Sequence, residues 1–199
     1  MNNFITADWH LGETRFELMG RPFATKNQHI SHIVNEHNMI VHNDDLVYIN
    51  GDVCYQGSPE SLTLIEKFNG RKILIRGNHD RVFTDEQLKP YFEQIIPEGE
   101  GIEIDIEGIP CYITHYPTQG RIDRFNLTGH IHSAWKYQKN MLNVGVDVNG
   151  FRPINFTKIP FHLKAITEFY DNDVWVATNS INMAHNGRGK NSTYFTRPV

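Results

Sequence analysis

The chain has 199 residues, of which 39% are hydrophobic and 21% charged, and its formal net charge is −4. This length favours one domain with a substantial core, and the composition excludes a wholly disordered chain. The acidic balance argues against binding to long duplex nucleic acid, and no apolar run approaches the roughly 20 residues that cross a bilayer. Because the amino terminus lacks a basic signal-peptide head, we expect a cytoplasmic protein with its two cysteines, Cys54 and Cys111, reduced.

Short apolar runs alternate with helical patterns in the first half of the chain. Runs rich in β-branched side chains predict strands at residues 4–6, 46–49 and 73–75. Amphipathic spacing and helix-start signals predict helices at residues 26–42, 58–70 and 84–89. Ser58-Pro59 and Thr84 supply the start signals, and Asn69-Gly70 ends the second helix. This alternation is typical of an α/β fold.

The second half of the chain has the pattern of antiparallel strands. Residues 95–106 alternate acidic and apolar side chains, and the turn Glu107-Gly108 leads into residues 109–114, which predicts a hairpin. Further strands are predicted at residues 125–127, 141–148 and 174–177. Residues 179–199 are rich in Asn, Ser, Gly and Arg, so we predict a domain at residues 1–178 followed by a loop-like tail. Two sheets with helices outside them would accommodate both halves.

Five polar clusters begin where predicted strands end: Asp8-x-His10, Gly51-Asp52, Gly77-Asn78-His79-Asp80, His115 and Gly129-His130-x-His132. Taken alone, each cluster could be a polar turn or a surface histidine. Their shared position favours a single site, because loops beyond the carboxyl ends of strands form the ligand crevice of α/β sheets. Carboxylate, amide and imidazole side chains bind divalent manganese, iron or zinc, and paired sites of this kind hydrolyse phosphate esters.

Together the clusters resemble the complete signature of the calcineurin-like dinuclear metallophosphoesterases. The overall layout, including residues 21–23 and 143–147, is similar to the small stand-alone phosphoesterases of bacteria and their phages. This resemblance implies a four-layer αββα sandwich of two mixed β-sheets flanked by helices, with the metal site at the strand carboxyl ends. It also implies that the first metal is bound by Asp8, His10, Asp52 and His132, and the second by Asp52, Asn78, His115 and His130.

The resemblance further implies roles for the remaining cluster residues. Two ions bridged by Asp52 would hold a shared water as hydroxide, and His79, outside the metal shell, would protonate the leaving oxygen. Asp80 would orient His79 or another ligand through its second nitrogen, or else cap the turn. We predict two divalent ions, with manganese as the first choice, and the ligand set also accepts iron, zinc or nickel.

Residues in the loops beside the clusters are predicted to contact the substrate: Arg15, Arg21, Tyr55, Arg81, Tyr116 and Arg124. An arginine can hold a second phosphate and an aromatic ring can stack on a base, although each residue could instead be an ordinary surface residue. Four helix-associated histidines are expected to be exposed or partly packed rather than metal-bound: His29, His32, His37 and His42.

The favoured function is hydrolysis of a phosphodiester or small nucleotide. A phosphomonoesterase and a non-catalytic interaction module with the same fold are the alternatives. An interaction module would be expected to lack some ligands or the leaving-group acid, whereas this sequence has both. The sequence does not predict the oligomeric state.

Overall fold

The computed structural model describes residues 1–55 and 59–168 and contains two mixed five-stranded sheets flanked by helices. The strands are, in chain order, β1 (Asn3–Thr6), β2 (Leu46–Ile49), β3 (Arg71–Ile75), β4 (Gln94–Ile96), β5 (Gly101–Ile106), β6 (Ile109–Thr114), β7 (Phe125–Thr128), β8 (Tyr137–Gln138), β9 (Met141–Asn143) and β10 (Ile154–Asn155). The first sheet has the order β10-β1-β2-β3-β4 and the second has the order β5-β6-β7-β9-β8. The predicted architecture of two mixed sheets with flanking helices is therefore confirmed.

Strand direction brings the polar clusters together. In the first sheet β1 to β4 are parallel and β10 is antiparallel to β1, and in the second β6, β7 and β9 are parallel. The five strands that precede the clusters therefore have parallel neighbours within each sheet. Asn50 joins the two sheets at their carboxyl ends, because its side-chain amide donates to the carbonyl oxygens of Thr114 at 2.9 Å and Leu127 at 3.2 Å.

Four α-helices are described: α1 (Lys26–Asn38), α2 (Pro59–Leu62), α3 (Asp85–Leu88) and α4 (Ile159–Glu168). Thr25 caps α1 by accepting from the backbone N–H of Gln28, and Thr84 forms a capping box with Gln87 at the start of α3. α1 ends earlier than predicted, because the chain turns after Asn38 and residues 40–42 lie outside the helix. None of the helices within the described ranges is long and apolar enough to span a membrane.

Side chains that alternate along the strands form two hydrophobic layers. Val47 and Ile49 of β2 belong to a cluster that includes Ile33 of α1 and Leu88 of α3. Tyr48, between them, belongs to a second cluster, which is formed with residues of the other sheet such as Ile113 and Leu127 and with Ile159 and Ile166 of α4. One face of the first sheet therefore packs on helices, while the other packs on the second sheet.

Several local predictions need correction. Residues 95–106 do not form one strand: β4 and β5 lie in different sheets, because the chain turns between Pro97 and Glu100 and Gly99 has a φ of 84°. Residues 141–148 form only β9 and then a helical turn at Val146–Val148. The short strands β8 and β10 and helix α4 were not predicted. The strand predicted at residues 174–177 and the tail at 179–199 lie outside the described residues. Both cysteines are buried and unpaired, as expected.

Candidate metal centre

Asp52 lies at the middle of the candidate site. Its Oδ2 is 3.5 Å from Nε2 of His10 and 3.4 Å from Nε2 of His115. Its Oδ1 accepts a hydrogen bond of 2.9 Å from the backbone N–H of His79. Potential metal-binding atoms form two sets, and within each set all the atoms lie within 4.8 Å of one another. One set comes from His10, Asp52 and His79, and the other from Asp52, His115 and His130, so Asp52 belongs to both.

The other predicted ligands lie around these two sets. Asn78 Oδ1 is 3.3 Å from His115 Nε2, and the Asp8 carboxylate accepts the backbone N–H of His130 at 3.0 and 3.1 Å. The ring of His132 is 4.9 Å from the ring of His10, measured between centroids. The structure thus brings together all seven residues predicted as metal ligands: Asp8, His10, Asp52, Asn78, His115, His130 and His132.

The backbone is strained at the same positions. Non-glycine residues rarely adopt positive φ, and where they do the conformation is often tied to function. Eight such residues occur in the described ranges, and five are predicted ligands: Asp8 (61°), His10 (49°), Asp52 (55°), His130 (72°) and His132 (48°). The turns that follow β1, β2 and β7 therefore hold these side chains at the cost of local strain.

Gly51 allows the turns after β2 and β3 to approach closely. It has a φ of 86°, and a Cβ atom built on it would lie 2.8 Å from Cα of Gly77 and closer still to Nδ1 of His115. Any side chain here would displace His115 or the turn that carries Asn78. The glycine is therefore part of the geometry of the site.

Electrostatic interactions in the site favour a cation. Burial raises the pKa of Asp8 to about 6. Burial also opposes ionisation of Asp52, but its hydrogen bond to His115 and the charges of His115 and His10 outweigh this and hold its pKa well below the usual value. Burial lowers the pKa of His115, yet Asp52 and Asp8 outweigh it and raise the pKa to about 9. The buried carboxylates thus attract positive charge, which a proton on His115 or a metal ion could provide.

The histidines are arranged as metal ligands usually are. His10 is buried, and neither of its ring nitrogens has a hydrogen-bond partner among the described residues. Nδ1 of His115 is 2.8 Å from the carbonyl oxygen of Asn50, and Nδ1 of His132 is 2.9 Å from Oδ2 of Asp147. These contacts orient the rings through one nitrogen and leave Nε2 for a ligand. The donor set therefore fits divalent metal ions.

Arg21 is not placed to bind substrate, contrary to the sequence-based prediction. The residue is only 5% exposed, and its guanidinium contacts Asp147 through Nε at 2.6 Å and Nη2 at 3.0 Å. The same group donates to the carbonyl oxygens of Asp8 at 2.5 Å and Trp9 at 3.1 Å, and Nη1 is 2.8 Å from Nε2 of His29. Arg21 therefore supports the segment that holds Asp8 and His10.

Asp80 also lies beneath the site rather than in it. Its Oδ2 accepts the backbone N–H groups of Asp52 and Gly77, both at 2.8 Å, and its Oδ1 accepts that of Val53 at 2.9 Å. Burial raises its pKa to about 6, because the charge of Asp52 adds to the effect of desolvation. These contacts correspond to the turn-capping alternative: the carboxyl group ties the turn after β2 to the turn after β3 and, within the described ranges, makes no hydrogen bond to a histidine ring.

Four of the other predicted substrate-binding residues lie beside the centre. The Tyr55 ring is 5.5 Å from the His79 ring, and Arg15 donates to the Tyr55 hydroxyl. The Tyr116 ring is 4.9 Å from the His130 ring, and Tyr116 shares Glu98 with Arg81.

Arg124 lies away from the centre, which corrects its predicted role. It immediately precedes β7, at the end of the strand opposite His130, and its guanidinium pairs with Glu103 at 3.1 Å and Asp123 at 2.6 Å. Arg124 and His115 are close in sequence but lie at opposite ends of the sheet, because His115 follows β6 and Arg124 precedes the parallel strand β7.

Two histidines of α1 are more buried than expected. His29 and His37 are both 0% exposed, whereas His32 is partly buried and His42 is exposed. Burial, together with the charge of Arg21, lowers the pKa of His29 to about 3. Burial lowers the pKa of His37 to about 4, and the Nε2 of His37 is 3.0 Å from the carbonyl oxygen of Asn69.

Three further residues support the candidate site although the sequence predicts no function for them: Asn50, Glu98 and Asp147. Asn50 had a weak signal, because it lies between an apolar run and Gly51-Asp52. Asp147 lies in a segment that contributed to the family resemblance, but its contact with His132 could not be deduced from spacing. Glu98 has no local signal, because it follows β4 and meets Tyr116 only in the folded chain.

Two mixed sheets with carboxylate, amide and imidazole donors at their carboxyl ends are the arrangement expected of a metal-dependent phosphoesterase. A family model for the calcineurin-like phosphoesterases matches residues 1–198, and the chain belongs to this family. The confirmed resemblance supports phosphoester hydrolysis, and the family is metal-dependent.

Similar proteins include the uncharacterised MJ1445 of Methanocaldococcus jannaschii, which is 23% identical over 170 residues, covering 78% of this chain and 88% of that protein. Among solved structures, AQ665 of Aquifex aeolicus, a protein of unknown function, has a TM-score of 0.62 at 22% identity, covering 80% of this chain and 97% of that one. Nuclease MPE of Pseudomonas putida has a TM-score of 0.47 at 24% identity, covering 65% of this chain and 61% of that one. The similarity to AQ665 supports the fold alone.

Proposed function

We propose that the protein hydrolyses phosphodiesters, with small nucleotides among the substrates, at a centre of two divalent metal ions. The observation that supports this most directly is the position of Asp52, whose carboxylate belongs to both sets of donor atoms. A shared carboxylate is what a two-metal hydrolytic site requires. The complete donor set favours an enzyme over a non-catalytic module with the same fold.

The ligands divide as the family resemblance implies, with Asp52 common to both ions. Asp8, His10 and His132 complete one set, and Asn78, His115 and His130 complete the other. We propose manganese as the first choice, and iron, zinc and nickel suit the same ligands. When bound, the ions supply positive charge that lowers the pKa of an attacking water and offsets charge on the phosphoryl oxygens.

His79 is proposed as the general acid. Its backbone N–H is fixed on Asp52, and its ring is 4.7 Å from the His10 ring and only partly buried. In the reaction, water oxygen bonds to phosphorus while the phosphorus–oxygen bond to one ester group breaks. The departing oxygen takes a proton from the His79 ring, the attacking water gives up one proton to solvent, and the ring regains a proton from solvent, so that the products are an alcohol and a phosphomonoester.

Two variants test these roles. We expect His79→Ala to retain metal and lose about 10²–10⁴-fold in kcat on bis-nitrophenyl phosphate, the usual contribution of a general acid. We expect Asp52→Ala to lose both metal and activity. Metal content after dialysis and hydrolysis rates provide the two readouts, and His42→Ala, at an exposed position, is the matched control.

The outcomes separate the alternatives. Loss of metal from His79→Ala would make His79 a ligand, which its place in one donor set allows, and full activity in either variant would refute the assignment. Faster hydrolysis of mono-nitrophenyl phosphate than of the bis-ester would identify a phosphomonoesterase instead.

A further inference from the structure

Two tyrosines lie beside different halves of the candidate metal centre. The ring of Tyr55 is 6.4 Å from His10 and 5.5 Å from His79, which belong to one set of donor atoms. The ring of Tyr116 is 5.0 Å from His115 and 4.9 Å from His130, which belong to the other. Each half of the centre therefore has its own partly buried aromatic neighbour.

Charged side chains hold Tyr55 in place. Arg15 donates to its hydroxyl oxygen, and the guanidinium carbon lies 4.8 Å from the centre of the ring. Arg15 is itself bound to Glu13, a buried carboxylate that also accepts the backbone N–H of Thr14 at 2.7 Å. The side chain of Arg15 remains 52% exposed, so this group can still meet an anion.

A similar arrangement holds Tyr116 on the other side. Its hydroxyl donates to Oε1 of Glu98 at 2.6 Å, and the same oxygen accepts from Arg81 at 2.9 Å. Arg81 also donates through Nε to the carbonyl oxygen of Asn78 at 2.8 Å, and its side chain is 60% exposed. Both halves of the centre thus combine a fixed tyrosine ring, an exposed arginine and a carboxylate that positions one or both of them.

A tyrosine and an arginine lie on each side of the centre, and this arrangement suits a phosphodiester that has a planar group on each of its two ester oxygens. Both tyrosine rings are only partly buried and are of the kind on which a base stacks, and each arginine can bind a neighbouring phosphate. A phosphomonoester would use only one side. We propose that the substrate is a dinucleotide or short single-stranded oligonucleotide whose scissile phosphate lies at Asp52, with the two flanking nucleosides directed to Tyr55 and Tyr116. This inference rests on the proposed function and specifies its substrate class.

The experiment compares two diesters, a dinucleoside monophosphate and a nucleoside methyl phosphate, which has a single base. Because a base that stacks on an aromatic side chain binds more tightly, we expect kcat/KM of the wild type to be about 10-fold higher for the dinucleoside. The leucine variant at the tyrosine that the single base leaves empty, either Tyr55→Leu or Tyr116→Leu, should reduce this preference about 10-fold, and the other leucine variant should slow both diesters about 10-fold. Tyr55→Phe and Tyr116→Phe, which keep the rings, should restore it.

Equilibrium binding gives a readout that does not depend on turnover. The Kd of a dinucleoside methylphosphonate, measured by calorimetry, should rise about 10-fold in each leucine variant and stay close to the wild-type value in each phenylalanine variant. The inference is overturned if the wild type shows no preference for the dinucleoside, or if neither leucine variant reduces that preference. If manganese-loaded wild type hydrolyses neither diester nor bis-nitrophenyl phosphate, the proposed function itself fails.

Discussion

The two ends of β7 use the same kinds of side chain in opposite ways. Beyond its carboxyl end, His130 and His132 adopt strained backbone conformations beside buried carboxylates. Before its amino end, Arg124 forms ion pairs with Glu103 and Asp123, whose side chains are 48% and 63% exposed. Exposed ion pairs of this kind contribute little to the free energy of unfolding, whereas a buried charge needs a partner of opposite charge or a hydrogen bond. The direction of the strand therefore separates the polar groups of the candidate site from ordinary surface charge.

The largest effect should come from a substitution that fills the space between the turns after β2 and β3. We expect Gly51→Ala to abolish metal binding and activity, because the added methyl group would meet His115 and Gly77 and the residue would keep an unfavourable φ. Metal content and thermal unfolding would measure the result. Gly108→Ala is the control, since Gly108 also has a positive φ, 81°, but none of the described residues lies within 4 Å of the added atom. Normal metal binding by Gly51→Ala would show that the close approach is unnecessary.

The next effect tests the charged layer beneath the ligands. Arg21→Gln should weaken metal binding about 10–100-fold, the usual cost of removing a group that orients a ligand, because Asp147 and the carbonyl of Asp8 lose their donor. Arg21→Lys should recover little, because an ammonium group cannot make the forked contacts. Metal competition titrations provide the measurement. If only KM for the diester rises while metal affinity is unchanged, Arg21 binds substrate after all.

A smaller effect concerns a buried histidine outside the crevice. His37 has its pKa lowered from 6.5 to about 4, so the unfolded chain binds more protons between these values and the folded state loses stability as pH falls. Between pH 6.5 and 5 this group should remove roughly 1.5 kcal/mol from the free energy of unfolding. His37→Gln should lack that contribution. Denaturant titrations at both pH values would reveal it, and parallel pH dependences of the two proteins would contradict it.

The smallest effect is expected at the amino end of β7. Arg124→Gln should change the free energy of unfolding by less than about 1 kcal/mol and the rate of diester hydrolysis by less than about twofold. It is the counterpart of Arg21→Gln, because the same substitution is made at the opposite end of the sheets. A large rise in KM for Arg124→Gln would restore its predicted contact with substrate.

The sequence was most informative where chemistry and local structure coincide. The apolar runs before Asp8, Asp52 and Asn78 predicted three strands. They also predicted that these three residues lie close together, because the loops that follow parallel strands meet at the carboxyl end of the sheet. The break within residues 95–106 was missed although Pro97 and Gly99 lie inside it. Alternating side chains do not specify which sheet a strand joins.

Long-range contacts explain the errors among the site residues. Arg21 was assigned to substrate because it follows the first cluster, yet its partner Asp147 is 126 residues away. For Asp80 the sequence left two alternatives open, orienting a histidine or capping the turn, and its hydrogen bonds to backbone amides, which spacing does not reveal, correspond to the second. Local sequence therefore predicted which residues reach the site more reliably than what each one contacts there.

The double role of Asn50 has a thermodynamic consequence. Its side chain joins the second sheet, and its carbonyl oxygen orients His115. Metal occupancy and cohesion of the two sheets are therefore linked equilibria, so a ligand that binds only the native arrangement stabilises the whole chain by mass action. We expect the melting temperature to rise with the free metal concentration. We also expect removal of the metal by a chelator to weaken the contact between the two sheets.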